Sequence, residues 1–329
     1  MRIDPETAIY GSVGNPLDYP STLRPAAYYV DGVNAVRLSW NWTDTTGIRL
    51  TADGSALTDL GPRARRAVEA LPDRVPQIAF GANRNLTNLI WKFRHYADEA
   101  DAIPEPFFVL PAVVPRADVV MCNVGYWGYL YAALLTDRSG DPATSRLVAD
   151  REAPVAVLLL TADQMRMVHR SEGVPESPVT GRAIVSCDVA LLDARCLGRV
   201  LTCQAYALPV PYLSFDGTTP IRLPTAPTDG TAQRVRAQRD AWQRILAHPQ
   251  IAQRWGGTVR TGDDVVTAVR SGSGRGASDL IAHLKQVIAS ELCLRGASGL
   301  PLDPRAGLDL LTSEQAWRAA PSLADSLTE

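Results

Sequence analysis

The stretch Pro76-Gln77-Ile78-Ala79-Phe80-Gly81-Ala82-Asn83-Arg84-Asn85-Leu86-Thr87-Asn88-Leu89-Ile90-Trp91-Lys92-Phe93 decides how this chain is read. Residues 78–80 form a short apolar run, as a buried strand does, and the run breaks at Gly81. A polar turn, Asn83-Arg84-Asn85, follows. Leu86, Leu89, Ile90 and Phe93 then recur at three- and four-residue steps, the period of a helix with one buried face. A strand that feeds a glycine turn into a helix leaves backbone N–H groups at the turn. With the positive end of the helix dipole, such groups make an anion site. The stretch therefore predicts strand, turn and helix, with the turn as a candidate binding element.

Outward from it, residues 76 to about 211 are rich in strand-like runs at 107–114, 118–124, 153–160, 182–191 and 199–208. Only two helical patterns interrupt them, one after Gly81 and one at 162–171. Many closely spaced strands with few helices predict an α+β or barrel-like sheet rather than a doubly wound one. Residues 1–75 read as an N-terminal extension packed on that core. Residues 36–42 alternate as a half-buried strand, and 63–71 as a short helix begun by Pro62 and ended by Pro72. After Tyr212 the composition shifts again. Helical stripes at 230–247 and 278–294 make 213–329 a mainly helical region, with a tail expected to fray after Trp317.

Composition limits the function classes. The chain has 329 residues, 46% hydrophobic and 21% charged, with a formal net charge of −2, which gives no electrostatic argument for nucleic acid or an anionic membrane. No stretch of eighteen apolar residues occurs, so no membrane span is expected. Five cysteines without a Cys-x-x-Cys pair suit reduced thiols in a cytoplasmic setting better than a disulfide or zinc framework.

A second stretch carries chemistry: Thr161-Ala-Asp-Gln164-Met-Arg-Met-Val-His169-Arg-Ser-Glu172-Gly173-Val174. Thr161 with Gln164 matches a capping box that starts a helix, and Gly173 is placed to end it. Glu172 then sits at the carboxyl end of that helix, where the dipole disfavours negative charge. In a pocket, a carboxyl that holds a proton there is suited to shuttling protons near neutral pH. The competing reading is a solvated terminal glutamate.

Phe80-Gly81-Ala82-Asn83 is similar to the Tyr-Gly-Ser-Asn-Leu signature of gamma-glutamylcyclotransferase-like proteins. Glu172-Gly173-Val174 resembles the Glu-Gly-Val segment that holds their catalytic glutamate, and Cys203-Gln-Ala-Tyr206-Ala resembles their late, tyrosine-bearing strand. The resemblance covers about residues 76–210 and implies a mixed β-barrel core over 76–212. It also implies cleavage of a γ-glutamyl or related small-molecule amide. In that chemistry the α-amine of the γ-glutamyl group attacks its own γ-carbonyl, giving 5-oxoproline and a released amine. Glu172 would move the protons, and Phe80, Gly81, Ala82, Asn83 and Arg84 would bind substrate; neither metal nor organic cofactor is implied. Phe80, Ala82 and Arg84 depart from the signature, where tyrosine, serine and leucine stand. These departures favour a non-catalytic ligand-binding or scaffold protein on the same fold, and an amide hydrolase is a third reading.

The aromatic cluster Tyr126-Trp127-Gly-Tyr129-Leu-Tyr131 is a candidate pocket wall or core filler, with Tyr126 and Tyr129 taken as substrate-binding candidates. Arg84 either pairs with a substrate carboxylate or points to solvent. His169 and Glu172 are spaced to share a metal, Cys122 is a weak candidate nucleophile, and Gly272-Ser-Gly274-Arg-Gly276 reads as a linker before a helix capped at Ser278 or Asp279. A second Tyr-Gly-Ser at Tyr10 is read as a coincidence, since Val13 and Gly14 follow it.

Overall fold

A computed structural model of the chain describes residues 1–10, 14–20, 26–42, 48–97, 105–125, 127–174, 187–225, 230–271, 275–312, 315–316 and 322–327. Its strands are β1 (Ala27–Asp31), β2 (Asn34–Trp42), β3 (Ile48–Ala52), β4 (Ser55–Ala56), β5 (Val75–Ala79), β6 (Phe107–Pro115), β7 (Ala117–Val124), β8 (Leu130–Thr136), β9 (Glu152–Leu160), β10 (Asp188–Cys196), β11 (Arg199–Ala207) and β12 (Asp309–Leu311). Its longer helices are α1 (Pro62–Glu69), α2 (Leu86–Tyr96), α3 (Pro142–Val148), α4 (Ala162–Ser171), α5 (Thr231–Leu246), α6 (Pro249–Trp255), α7 (Gly262–Arg270) and α8 (Arg275–Ser290).

Ten strands form one large mixed sheet in the order β12-β10-β11-β5-β9-β6-β1-β2-β3-β4, and β7 pairs with β8 separately. All the large sheet's pairings are antiparallel except β5 with β11, which meet in parallel at Gln77 and Gln204. β10 also pairs with β6 through Arg195–Val113 and Cys196–Ala112. The strands β10, β11, β5, β9 and β6 therefore return on themselves.

The core strands are apolar on both faces because both faces are covered. On β9, Val155, Val157 and Leu159 join the larger apolar core, while Ala156, Leu158 and Leu160 face a second core shared with α2 and α4. Leu86, Leu89, Ile90 and Phe93 of α2 enter that second core as the spacing predicts. Burying each such side chain is worth about 1.5–3 kcal/mol.

The division of the chain differs from the expectation in several places. β1 pairs with β6 through Tyr28–Val109, Tyr29–Phe108 and Val30–Phe107, so the large sheet runs through the boundary set at residue 76. Strand β10 continues to Cys196, beyond the expected end at 191, and residues 182–186 of that expectation lie outside the described residues. α3 and the strands β1, β3, β4, β8 and β12 are short and were not anticipated. α8 begins at Arg275, so Ser278 and Asp279 lie inside it rather than at its cap. In the tail, the described residues 322–327 are docked: Leu323 is buried, and its N–H donates to the Arg74 carbonyl across 2.6 Å. Among the described residues, no helix is long and apolar enough to cross a membrane.

Candidate functional site

The two stretches singled out by sequence meet at one end of the sheet. β5 and β9 are antiparallel, with Val75 opposite Leu160 and Ala79 opposite Ala156. The chain thus leaves β9 at the far end from Gly81. α4 then folds back, and its ten residues cover about 15 Å, close to the rise of the five-residue β5. That return brings the last turn of α4 level with the turn after β5. The Thr161–Gln164 capping box starts α4 with both of its reciprocal bonds. A Schellman motif ends it. Val174 N–H donates to the His169 carbonyl, Gly173 N–H donates to the Arg170 carbonyl, and Gly173 takes the left-handed conformation at φ 70°. Glu172 is the capping residue itself.

Asn83 Nδ2 donates to Glu172 Oε1 across 3.0 Å. An ionised carboxylate only accepts, so the amide nitrogen must be the group that faces it. The Asn83 Oδ1 atom is buried and has no hydrogen-bond partner among the described residues. Lys92 Nζ forms an ion pair with the same Glu172 Oε1; Lys92 is 4% exposed, and the Glu172 side chain keeps 23% of its exposure. The lysine therefore gives the carboxylate a compensating charge that offsets the unfavourable end of the helix dipole.

This group opens on a cavity of about 570 Å³. Phe80, Gly81, Ala82 and Asn83 line it from the turn, Glu172 and Gly173 from α4, Tyr206 from β11, and Tyr129 and Tyr131 from the β7–β8 hairpin. Tyr10, Tyr19, Tyr96 and Lys285 add residues that sequence reading missed. The N-terminal tyrosines are held in place by other parts of the chain. Ile9 N–H donates to Asn88 Oδ1 on α2 across 2.9 Å, beside Tyr10, and Arg234 on α5 pairs with Asp18 across 2.8 Å, beside Tyr19. The Tyr19 hydroxyl accepts from Ala132 N–H across 3.0 Å, and its ring stacks on Tyr129 with centroids 4.3 Å apart. Gly81 permits this arrangement, because a Cβ there would lie 2.6 Å from the Tyr19 hydroxyl oxygen. Tyr10 lies against the Lys92 ammonium, 5.6 Å from ring centroid to nitrogen. Burial raises the phenols of Tyr10, Tyr19, Tyr129 and Tyr206 well above their ordinary range, so the walls are neutral hydroxyl-bearing rings.

Other expectations change. Arg84 neither lines the cavity nor points to solvent. It is 1% exposed, and its Nη1 donates to the Thr225 carbonyl across 3.1 Å. The N-terminus of α2 is not an open anion site, since Asn85 Oδ1 accepts from the N–H groups of Thr87 and Asn88. Tyr10, set aside as coincidence, is a wall of the cavity. His169 turns away from metal binding: its Nε2 donates to the Ala316 carbonyl across 3.1 Å, and its Nδ1 accepts from the Tyr206 hydroxyl across 2.8 Å. Burial pushes its pKa down to about 4, against the raising effects of the Ala316 bond and of Glu172. Among the described residues, no group of three His, Cys, Asp or Glu side chains is placed to hold a metal ion. Cys122 is buried with its thiol pushed up to about 12, which removes it as a nucleophile. Tyr126, residues 175–186 and residues 272–274 lie outside the described residues.

The fold and the site thus define an α+β protein with a tyrosine-walled cavity built around one Lys–Glu pair. Comparison with protein-family models, curated proteins and solved structures finds no match to the chain.

Proposed function

We propose that this protein is a gamma-glutamylcyclotransferase-like enzyme, cleaving a γ-glutamyl or related amide by intramolecular aminolysis with Glu172 as general acid and base. The observation that carries this reading is the meeting of Glu172 with the 80–83 turn at one cavity, through the 3.0 Å bond from Asn83. The returning circuit of five strands is consistent with the same fold likeness.

The substrate already contains its nucleophile, so the protein needs to orient it and move protons. Glu172 takes a proton from the attacking ammonium, and the unpartnered Asn83 Oδ1 offers that ammonium a second acceptor. The amine nitrogen then bonds to the γ-carbonyl carbon. Backbone N–H groups of Gly81, Ala82 and Asn83 stabilise the negative charge that develops on the oxygen. Collapse breaks the C–N bond to the leaving group, and Glu172 returns the proton to the departing nitrogen. The cavity of about 570 Å³ leaves room for a leaving group beyond the γ-glutamyl part.

A second reading, a non-catalytic ligand-binding protein, is favoured by one observation. Asn83 and Lys92 both already bond Oε1 of Glu172, an arrangement a purely structural ion pair also has. Incubation with a panel of γ-glutamyl amines and peptides separates the readings. Formation of 5-oxoproline with an equal amount of released amine supports cyclotransfer, release of glutamate instead indicates an amide hydrolase, and binding without turnover indicates the second reading.

A further inference from the structure

The cavity extends past the Asn83–Glu172 contact to the β7–β8 hairpin, and the Tyr19 hydroxyl marks the join. It accepts from Ala132 N–H on β8 across 3.0 Å, and a Cβ at Gly81 would lie 2.6 Å from it. The hairpin therefore lies directly beyond the 80–83 turn. On this side the cavity is lined by Tyr19, Val124, Tyr129, Tyr131, Leu208 and Val210. Val124 ends β7, and Leu208 and Val210 follow the end of β11 and pack on the apolar core of the hairpin.

What this side presents to a ligand is ring and aliphatic surface, because its polar groups are bonded within the protein. The Tyr129 hydroxyl is hydrogen-bonded to that of Tyr10. Asn123 Nδ2 donates to the Lys285 carbonyl across 3.4 Å, and Asn123 Oδ1 accepts from Val124 N–H across 2.8 Å. The cationic side chains that line the cavity, Arg170 and Lys285, each have an interaction of their own. A charged ligand group on the hairpin side would give up its water and compete for partners already engaged.

The rings are also assembled in advance. Tyr131 stands edge-on to Tyr129, with centroids 5.4 Å apart, and edge-on to Tyr19 at 6.5 Å. Tyr19 and Tyr129 stack at 4.3 Å. A further ring joins such a cluster through the same stacked and edge-on contacts and adds its own apolar burial.

We infer that the hairpin side of the cavity is a subsite for an uncharged aromatic group, carried on the portion of the amide that is released. The subsite follows from the lining; which end of the ligand fills it rests on the proposed function. The substrate class is then a γ-glutamyl amide of an uncharged aromatic amine. The hairpin and the segment after β11 select the amine, while the 80–83 turn and Glu172 hold the reacting end.

Two matched pairs of probes test this by NMR titration of the full-length protein. One pair, without the γ-glutamyl group, is N-phenylacetamide and N-methylacetamide; the other is γ-glutamyl anilide and γ-glutamyl methylamide. The phenyl member of each pair is expected to bind about 10- to 100-fold more tightly, as burial of one aromatic group predicts. 4-Acetamidobenzoate, which adds a carboxylate to the ring, is expected to bind about tenfold more weakly than N-phenylacetamide. Intermolecular NOEs from the phenyl protons to the methyls of Val124 and Val210 are expected to place the ring. Val210→Trp, which fills this side from a half-buried position, is expected to abolish the preference for phenyl, and Val210→Ala, which leaves it open, to retain it. A phenyl preference in the acetyl pair without turnover of γ-glutamyl anilide sinks the proposed activity and leaves the subsite standing. Turnover of both γ-glutamyl probes with equal affinities overturns the inference and leaves the proposed activity standing. NOEs to neither valine, a preference that Val210→Trp retains, or equal or tighter binding of the benzoate also overturns the inference.

Discussion

Asn83 Nδ2 and Glu172 Oε1 lie 3.0 Å apart although 89 residues separate them in the chain. The contact exists because α4 returns along β5, and it joins the 80–83 turn to Glu172, the one carboxylate among the described residues that line the cavity. Lys92 reaches the same oxygen from α2. The predictions below test this three-residue arrangement and its surroundings.

Lys92 and Glu172 are expected to be coupled in stability. Lys92→Met leaves a carboxylate that keeps its Asn83 bond and 23% of its exposure, so it should cost about 1–2 kcal/mol, below the about 3–5 kcal/mol of breaking a fully buried pair. Glu172→Gln strands the buried ammonium and should cost more. The double variant should regain part of the loss in urea unfolding. A double-mutant cycle with no coupling would show that the pair is not formed in solution.

Stability should fall with pH because of His169. The folded imidazole is held neutral, with a pKa near 4, while the unfolded side chain titrates near its ordinary 6.5. Above 6.5 both states are neutral, and the full contribution is present. As pH falls from 6.5 to 4 the unfolded state binds the proton first, and about 3 kcal/mol is lost progressively. Unfolding midpoints across this window should show the decline, and His169→Gln should flatten it. The same slope in wild type and variant would contradict the assignment.

Gly81→Ala should place a Cβ against the Tyr19 hydroxyl and cost about 1–3 kcal/mol, as other overpacking does. Tyr19→Phe removes the atom 2.6 Å from that Cβ, so the double variant should be more stable than Gly81→Ala alone. If Tyr19→Phe fails to rescue Gly81→Ala, the close approach of turn and ring is wrong.

Arg84 separates structure from substrate binding. It is buried against the Thr225 carbonyl, so Arg84→Gln should lower stability by about 1–3 kcal/mol, the cost of disturbing a buried polar network, while leaving ligand affinity, or KM if the proposed turnover is found, unchanged in the folded protein. A rise in KM with stability intact would return Arg84 to the ligand.

What could be read from the sequence was local. The β5–turn–α2 and β9–α4 units announced themselves because apolar spacing, a capping box and a terminating glycine all lie within a few residues of one another. Tyr10, Tyr19 and Lys285 were not legible as site residues, because distant hydrogen bonds and helix packing bring them to the cavity and no local pattern records that. Lys92 was visible only as one of two lysines. Arg84 was misread because a charged residue in a polar turn looks solvated until the distant Thr225 carbonyl is seen to accept from it. β1 and β8 are short apolar runs whose strand character comes from their partners, β6 and β7.

The most direct measurement is turnover of whichever γ-glutamyl amide yields 5-oxoproline, compared between wild type and Glu172→Gln with the folded fraction of each determined. Loss of about 10²–10⁴-fold in kcat/KM by the folded variant is what an acid–base role predicts. Undiminished 5-oxoproline formation by folded Glu172→Gln would contradict it.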